Sequence, residues 1–206
     1  MLEQFRKVLS LEQKPNEVES RTSKQDVSMS VTYQGVPGSY SFEAASSCFG
    51  NKVRLLPCPE FANVCEAVAT EQATYGVLPV FNSQTGRMDE TERLIMSYAL
   101  RTVGNIPYLI RHCLLCLPGQ QLRDIVIVIS HPQALAQCSL FLARFPFQQT
   151  PISNTAVGAQ MIQEKQLRGF AAIASMSAAK LYGLTILAEN IQNTRDNVTR
   201  FSIVAK

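Results

Sequence analysis

From Ser30 onward the spacing of apolar residues changes repeatedly, and each change marks an element. Val31 and Tyr33 alternate with polar neighbours, the two-residue period of a strand. The turn Gly35-Val-Pro-Gly-Ser-Tyr-Ser41 follows, and then Phe42, Ala44 and Ala45 fall at helical spacing. A short strand over 52–56, a helix over 60–70 and an apolar strand over 75–80 complete a βαβαβ order. That order predicts a mostly parallel sheet with helices on its faces. A helix is expected over 88–100, with strands over 106–117 and 125–129. A second set follows: a turn and helix start over 130–138, a strand over 148–152, and a helix over 156–166 capped by Ser153-Asn154-Thr155. A small-residue strand over 171–174 leads to a helix over 177–182 that Gly183 stops, and Phe201, Ile203 and Val204 mark a last strand.

Ligands in parallel sheets sit beyond the carboxyl ends of the strands. The predicted ends at Gly35, Asn82, Ser130, Ser153 and Ser175 are all glycine or small and polar. Capping explains each one singly, and together they predict a cleft between two lobes, lined by hydroxyls, amides and N–H groups. Ser39 or Ser41 caps the helix after the glycine-bearing turn, a geometry that leaves N–H groups and the positive end of a helix dipole facing the loop. His131, beside Ser130 and Gln133, is a candidate acid or base or a hydrogen-bonded structural group, while His112 sits inside an apolar strand and reads as structural. The stretch 189–201 gathers amides, the Thr199 hydroxyl and the Arg200 guanidinium into a turn ahead of the last strand. A guanidinium fork suits a carboxylate, although the same residues alone also describe a turn with a solvated charge.

The chain has 206 residues, 46% of them hydrophobic, enough for a substantial core in one domain or two small lobes. A net charge of +3 without a basic block points away from nucleic acid and anionic membrane and leaves room for an anionic small molecule. Six cysteines lie among apolar neighbours with no secretory signal ahead of them, which suits a reducing cytoplasm. Cys113-Leu-Leu-Cys116 has no second pair and reads as buried strand, so no metal is expected. No apolar run reaches membrane-span length. Residues 1–29 mix five acids with five bases; their second half is expected to be a disordered arm, and Leu2, Phe5, Val8 and Leu9 at helical spacing to dock weakly. The acids argue against an organelle-targeting peptide. No Walker loop, dinucleotide fingerprint, zinc-protease helix or nucleophile elbow occurs, and no cofactor is expected.

Several longer motifs stand in order: Tyr-Gln-Gly-Val-Pro-Gly-Ser-Tyr-Ser (33–41), Asn82-Ser83, His112-Cys-Leu-Leu115, Ser130-His-Pro-Gln-Ala-Leu-Ala-Gln-Cys138, Asn154-Thr-Ala156, Ala172-Ile-Ala-Ser175 and Val198-Thr-Arg-Phe201. Through them residues 30–206 resemble the catalytic region of the prephenate and arogenate dehydratase family. The resemblance implies a two-lobed, periplasmic-binding-protein-like (type 2) α/β fold, with lobe 1 over about 30–105 plus 188–206 and lobe 2 over about 106–187, and prephenate bound in the interlobe cleft. It implies Thr199 as the hydroxyl donor near the reacting ring, Arg200 and Asn82 as its catalytic companions, and Ser39, Tyr40, Ser83, Ser153, Asn154, Thr155 and Phe201 around the substrate. Oligomeric state is open to a homodimer. Two departures shape the expected reaction. Family dehydratases usually read Glu-Asn-Ser where this chain has Phe81-Asn82-Ser83, and they usually carry a C-terminal phenylalanine-sensing ACT domain, whereas this chain stops five residues after Phe201. The family's prephenate decarboxylase branch in natural-product pathways is similarly short. With Phe81 taken as the specificity residue, the expectation is decarboxylation of prephenate to a dihydro-4-hydroxyphenylpyruvate. The alternatives are a dehydratase making phenylpyruvate or phenylalanine, and a non-catalytic ligand-binding homologue.

Overall fold

A computed structural model describes residues 29–50 and 53–206. The expected N-terminal arm, up to residue 28, and Lys52, the expected start of the second strand, lie outside the described residues.

Two sheets form. The first holds β1 (Ser30–Gln34), β2 (Arg54–Cys58), β3 (Tyr75–Asn82), β5 (Arg101–Leu109) and β11 (Val198–Ala205) in the order β2-β1-β3-β11-β5, with the two-residue β4 (Gly86–Arg87) against β3. The second holds β6 (Cys113–Cys116), β7 (Ile127–Ser130), β8 (Gln148–Pro151), β9 (Phe170–Ala174) and β10 (Thr185–Ala188) in the order β10-β6-β9-β7-β8. Helices cover both faces of each. On the first sheet α1 (Tyr40–Phe49) packs Ala44 and Ala45 against Val31, Val77 and Phe201, while α2 (Phe61–Ala69) and α3 (Asp89–Ser97) bring Val64, Val68 and Ile95 onto Leu78, Val80 and Val204. On the second, α6 (Thr155–Glu164) and α7 (Met176–Tyr182) cover one face, and α4 (Pro132–Gln137) with α5 (Ser139–Leu142) the other. Sandwiching explains why Val31, Thr32 and Tyr33 are all buried despite their apparent alternation. Each fully buried Leu or Ile, such as Leu78 or Ile129, contributes about 1.5–3 kcal/mol.

In the first sheet β1, β2 and β3 are mutually parallel, and β11 lies antiparallel between β3 and β5, so β5 points the same way as β3. In the second, β7, β8 and β9 are parallel and β6 alone opposes them, with β10 antiparallel to β6. Apart from the short β4, each sheet takes in one strand backwards, and in both cases it is the strand that follows a crossing from the other lobe. A parallel partner needs a crossover helix, and neither the crossing at 110–112 nor that at 189–197 contains one. The consequence is functional: the amino end of β11, with Thr199, meets the carboxyl ends of β3 and β5.

The expected strand 106–117 is in fact two strands in different sheets, β5 and β6, separated by residues 110–112. Sheet membership therefore carries the first lobe through Leu109, four residues beyond the expected boundary. The sequence hides the break because Ile110 and His112 are themselves buried and continue the apolar run.

Candidate active site

A cleft of about 310 Å³ opens where the strand ends of the two sheets face each other, a size suited to a small organic ligand. Asn82, Thr199, Phe201, Ser39 and Tyr40 line it from the first lobe, and Ser153, Asn154, Thr155, His131 and Gln137 from the second, with His112 at the crossing. Among the described residues the wall contains no carboxylate, lysine or arginine. Its electrostatics come from helix ends: the N-caps of α1 (Ser39) and α6 (Asn154) both lie on the wall, and each helix is 10 residues long. The Ser39 hydroxyl accepts from Phe42 N (3.3 Å), and Asn154 Oδ1 accepts from Ala156 N (2.9 Å). The other N–H groups of the first three helical positions, Tyr40 and Ser41 in α1 and Thr155 and Val157 in α6, have no intrahelical carbonyl by construction of a helix.

One irregularity sets which side chains reach the cleft. Thr199 pairs with Asn82 and Arg200 with Phe81, but Phe201 pairs with Pro79, so Val80 is an extra residue, a β-bulge. Strict alternation would put Pro79 and Phe81 on one face and Asn82 on the other. The bulge instead lets Pro79 and Asn82 both line the cleft, while Val80 packs into the core beneath α2 and α3. Phe81 lies outside the cleft wall, under the Arg200 guanidinium at 5.3 Å from ring centroid. Arg200 is exposed on the outer face with Val80, Arg87 and Glu92. Arg200, expected as a catalytic residue, and Phe81, expected as the specificity residue, are thus placed on the sheet's other side and not on the cleft wall. The sequence did carry a sign of the bulge, since a proline inside a strand belongs at an edge or a bulge, and Pro79 is interior.

Asn82 is held by an Asx turn. Its Oδ1 accepts from Gln84 N (2.9 Å) and Thr85 N (3.2 Å), so its amide nitrogen faces the other way and donates to Asn197 Oδ1 (2.8 Å) and Thr199 Oγ1 (2.9 Å). With its oxygen engaged as acceptor, Thr199 keeps its own proton for another partner. Beyond Asn197, Nδ2 donates to Gln137 Oε1 (3.0 Å), which also meets His112 Nε2 (3.0 Å), and His112 Nδ1 meets Tyr40 Oη (2.9 Å). Tyr40 Oη also donates to Arg111 O (2.8 Å), which makes Tyr40 a tie between α1 and the crossing. Gln137 Nε2 is buried and has no hydrogen-bond partner among the described residues. Burial holds His112 and His131 below the usual histidine range, and His131 Nδ1 accepts from Gln133 N (3.2 Å) as the N-cap of α4.

Other expected positions are spoken for elsewhere. Ser83 donates to Asp196 O (2.8 Å) and accepts from Val198 N (3.0 Å), clamping the return segment rather than lining the cleft. Ser130 donates to Ile173 O (2.7 Å) inside the second lobe. Ser175 caps α7 and bonds Glu43 across the lobes. Glu43, which periodicity hides as one more helix position, is 8% exposed and also accepts from Tyr108 Oη (2.5 Å). Burial pushes its carboxyl above the usual range against the opposing pull of those hydroxyl donors. Gln137 on the cleft wall and Asn197 behind Asn82 are amides of this network that the sequence reading passes over; the first sits in the motif 130–138, the second in 189–201, and only their convergence distinguishes them from capping amides.

Among the described residues no group of three or more His, Cys, Asp or Glu side chains is arranged to hold a metal, and no helix is long and apolar enough to cross a membrane.

Three comparisons bear on this site. The family profile described as Prephenate dehydratase matches residues 31–206. Arogenate dehydratase 1 of Petunia hybrida is 43% identical over 178 residues, 85% of this chain and 42% of that protein. A solved structure of prephenate dehydratase from Arthrobacter aurescens in complex with L-Phe superposes with a TM-score of 0.78 at 29% identity, over 86% of this chain and 60% of that one. A second structure, GqqA, described as a novel type of quorum quenching acylase, has the same TM-score at 33% identity, over 86% of this chain and 64% of that one. The chain spans about half the length of the curated relatives it matches.

Proposed function

We propose a dehydratase reaction for this chain, which belongs to the prephenate dehydratase family: removal of the ring carboxylate and ring hydroxyl of prephenate, or of its amino counterpart arogenate, to give phenylpyruvate or phenylalanine in aromatic amino acid biosynthesis. The observation that carries this reading is Thr199, whose oxygen is occupied by Asn82 Nδ2 while its proton stays available at the cleft wall.

The chemistry asks for little else. As the ring carboxylate departs as CO2, the electron pair of the breaking carbon–carbon bond passes through the diene and expels the hydroxyl group, leaving an aromatic ring. Hydroxide is a poor leaving group unless hydrogen-bonded and protonated as it goes. Thr199 supplies that hydrogen bond, and with a proton taken up the departing group becomes water. The substrate's negative charges meet the N-termini of α1 and α6, because among the described residues the wall offers no cationic side chain. Gln137 adds a second neutral donor.

Decarboxylation without dehydration rests on Phe81 facing the ring, and Phe81 lies on the outer face. Among the described residues no Ser, Thr or Cys side chain is hydrogen-bonded to a histidine, which leaves an acyl transfer without its activated nucleophile.

The test is proton NMR of prephenate, and separately of arogenate, incubated with the protein. Aromatic ring protons and CO2 release are expected. Olefinic ring protons without aromatic ones would restore the decarboxylase reading, and consumption of neither compound would leave a ligand-binding homologue.

A further inference from the structure

The amide chain that starts at Asn82 has a direction, and the direction is set far from its end. Asn82 cannot turn its amide around, because two backbone N–H groups, of Gln84 and Thr85, need its oxygen. Asn82 Nδ2 therefore donates, and Asn197 must receive with Oδ1 and present Nδ2 to Gln137. Gln137 must in turn receive with Oε1. The neighbour of that same oxygen is His112 Nε2, which must then carry a proton. Tyr40 Oη has a single proton: given to His112 Nδ1, it leaves His112 neutral, and kept on Arg111 O, it makes Nδ1 a donor to Tyr40 Oη and His112 charged; Nε2 carries a proton in both cases. The one consequence left is at Gln137 Nε2, which is buried, unpaired and unable to swap places with its oxygen. A swap would set Gln137 Nε2 against Asn197 Nδ2, donor against donor.

We propose that Asn197 and His112 are positioning residues which together lock Gln137 with its amide N–H groups unpaired, reserving them for an acceptor oxygen of the substrate. A buried donor without a partner is costly; the bound substrate removes that cost, so the lock turns it into affinity. The location supports the role. Asn197 and His112 stand on the two crossings between lobes, which bond each other through Ile110 N to Asn197 O (2.7 Å) and Ile191 N to His112 O (3.0 Å). Asn82 belongs to the first lobe and Gln137 to the second, so the chain of bonds forms only when the lobes are in register. The proposal rests on the dehydratase reading for the identity of the substrate, but the hydrogen-bond direction does not depend on it.

Nitrogen-15 NMR of the histidine-labelled protein, without substrate, reads the lock directly. A protonated Nε2 on His112 is expected; a proton on Nδ1 with Nε2 bare would overturn the proposal whatever the protein catalyses. The second measurement is kinetic. Asn197→Asp keeps the shape and the acceptor for Asn82 but presents an oxygen to Gln137, which then swaps and spends its N–H groups on Asp; kcat/KM should fall roughly tenfold or more. His112→Gln retains an N–H donor at the same reach and should keep clearly more activity than His112→Phe, which retains only the ring shape. If Asn197→Asp folds and matches the parent in kcat/KM, or if His112→Gln is no better than His112→Phe, the residues are structural and the proposal fails. A parent that turns over neither prephenate nor arogenate would defeat the dehydratase reading and leave the NMR result to decide the lock.

Discussion

The two faces of the β3–β11 pair are built from adjacent residues and do opposite work. On the cleft face Asn82 and Thr199 are 3% and 8% exposed, bonded to each other, and part of a polar chain that reaches the second lobe. On the outer face their immediate neighbours Phe81 and Arg200 form an isolated ring-and-guanidinium contact beside solvent. Four residues in register make two environments because strands alternate, and the Val80 bulge selects which pair goes inward. The lesson is that a motif such as Thr-Arg-Phe is not a unit of function. Its first and third residues belong to the site and its second to the surface.

The comparison breaks first at Thr199. Thr199→Val removes the hydroxyl at nearly constant volume and should lower kcat by roughly 10²–10⁴-fold, the range for a group that assists proton delivery in the transition state. KM should move little, because the loss falls on the departing hydroxyl and not on the substrate's carboxylates. Valine also leaves Asn82 Nδ2 with one of its two partners, so some loss of stability accompanies it. A steady-state assay beside a urea melt separates the two. An unchanged kcat would remove Thr199 from the mechanism.

How much of this was legible depends on scale. The order of strands and helices follows from periodicity, and small polar residues at strand ends such as Asn82 and Asn154 mark a shared cleft before any coordinates. What periodicity cannot give is facing. A one-residue bulge reverses it, and the bulge depends on pairing with a strand 117 positions away, as the Asn82 to Thr199 bond records. Ser130 and Ser175 satisfied the same strand-end pattern yet spend their hydroxyls on Ile173 O and Glu43. Nothing in their local sequence separates them from Ser153, because the difference is the partner across the fold. Glu43 was invisible for a related reason: its burial comes from the second lobe closing over α1.

Glu43 sharpens the comparison from a third position, the seam between lobes. Its carboxyl is buried against Ser175 and Tyr108, and burial raises its pKa above the ordinary value of 4.5. The unfolded chain therefore releases this proton at lower pH than the native protein does, so between the two pKa values the native state binds more protons. Stability from this group is present below the ordinary carboxylate value and is lost as pH rises through the raised one. Glu43→Gln should remove that slope, giving a flatter stability profile across this window in urea melts taken at several pH values. His112 and His131, both held below the usual range, tilt the profile the other way at higher pH, with stability falling as pH drops below 6.5. The Gln variant keeps that second slope. A parent profile with no decline above the ordinary carboxylate value, beyond what the histidines account for, would mean that the seam's hydroxyl donors outweigh burial.

The smallest effect is expected on the outer face, and it is the most exacting test of the bulge. Arg200→Lys replaces a planar guanidinium over the Phe81 ring with an ammonium at an exposed position, where such a contact is worth about 0.5–1 kcal/mol at most. Turnover should stay within about twofold of the parent, since most surface substitutions of this kind fall within about 0.5 kcal/mol. Phe81→Glu goes further, exchanging the ring for a carboxyl at the position where the family usually has one. If Phe81 faces outward, the new carboxylate sits beside Arg200 and Arg87, pairs with solvent or with them, and leaves the product distribution unchanged, read as aromatic against olefinic ring protons by NMR. A shift in that ratio would require the side chain at 81 to reach the ring of the substrate. That in turn would require Val80 to rejoin the ladder and the strand to slip by one residue, turning Asn82 out of the cleft; the same variant would then lose the Asn82 to Thr199 bond and most of its turnover. Product ratio and turnover together therefore distinguish an outward Phe81 from a mobile register.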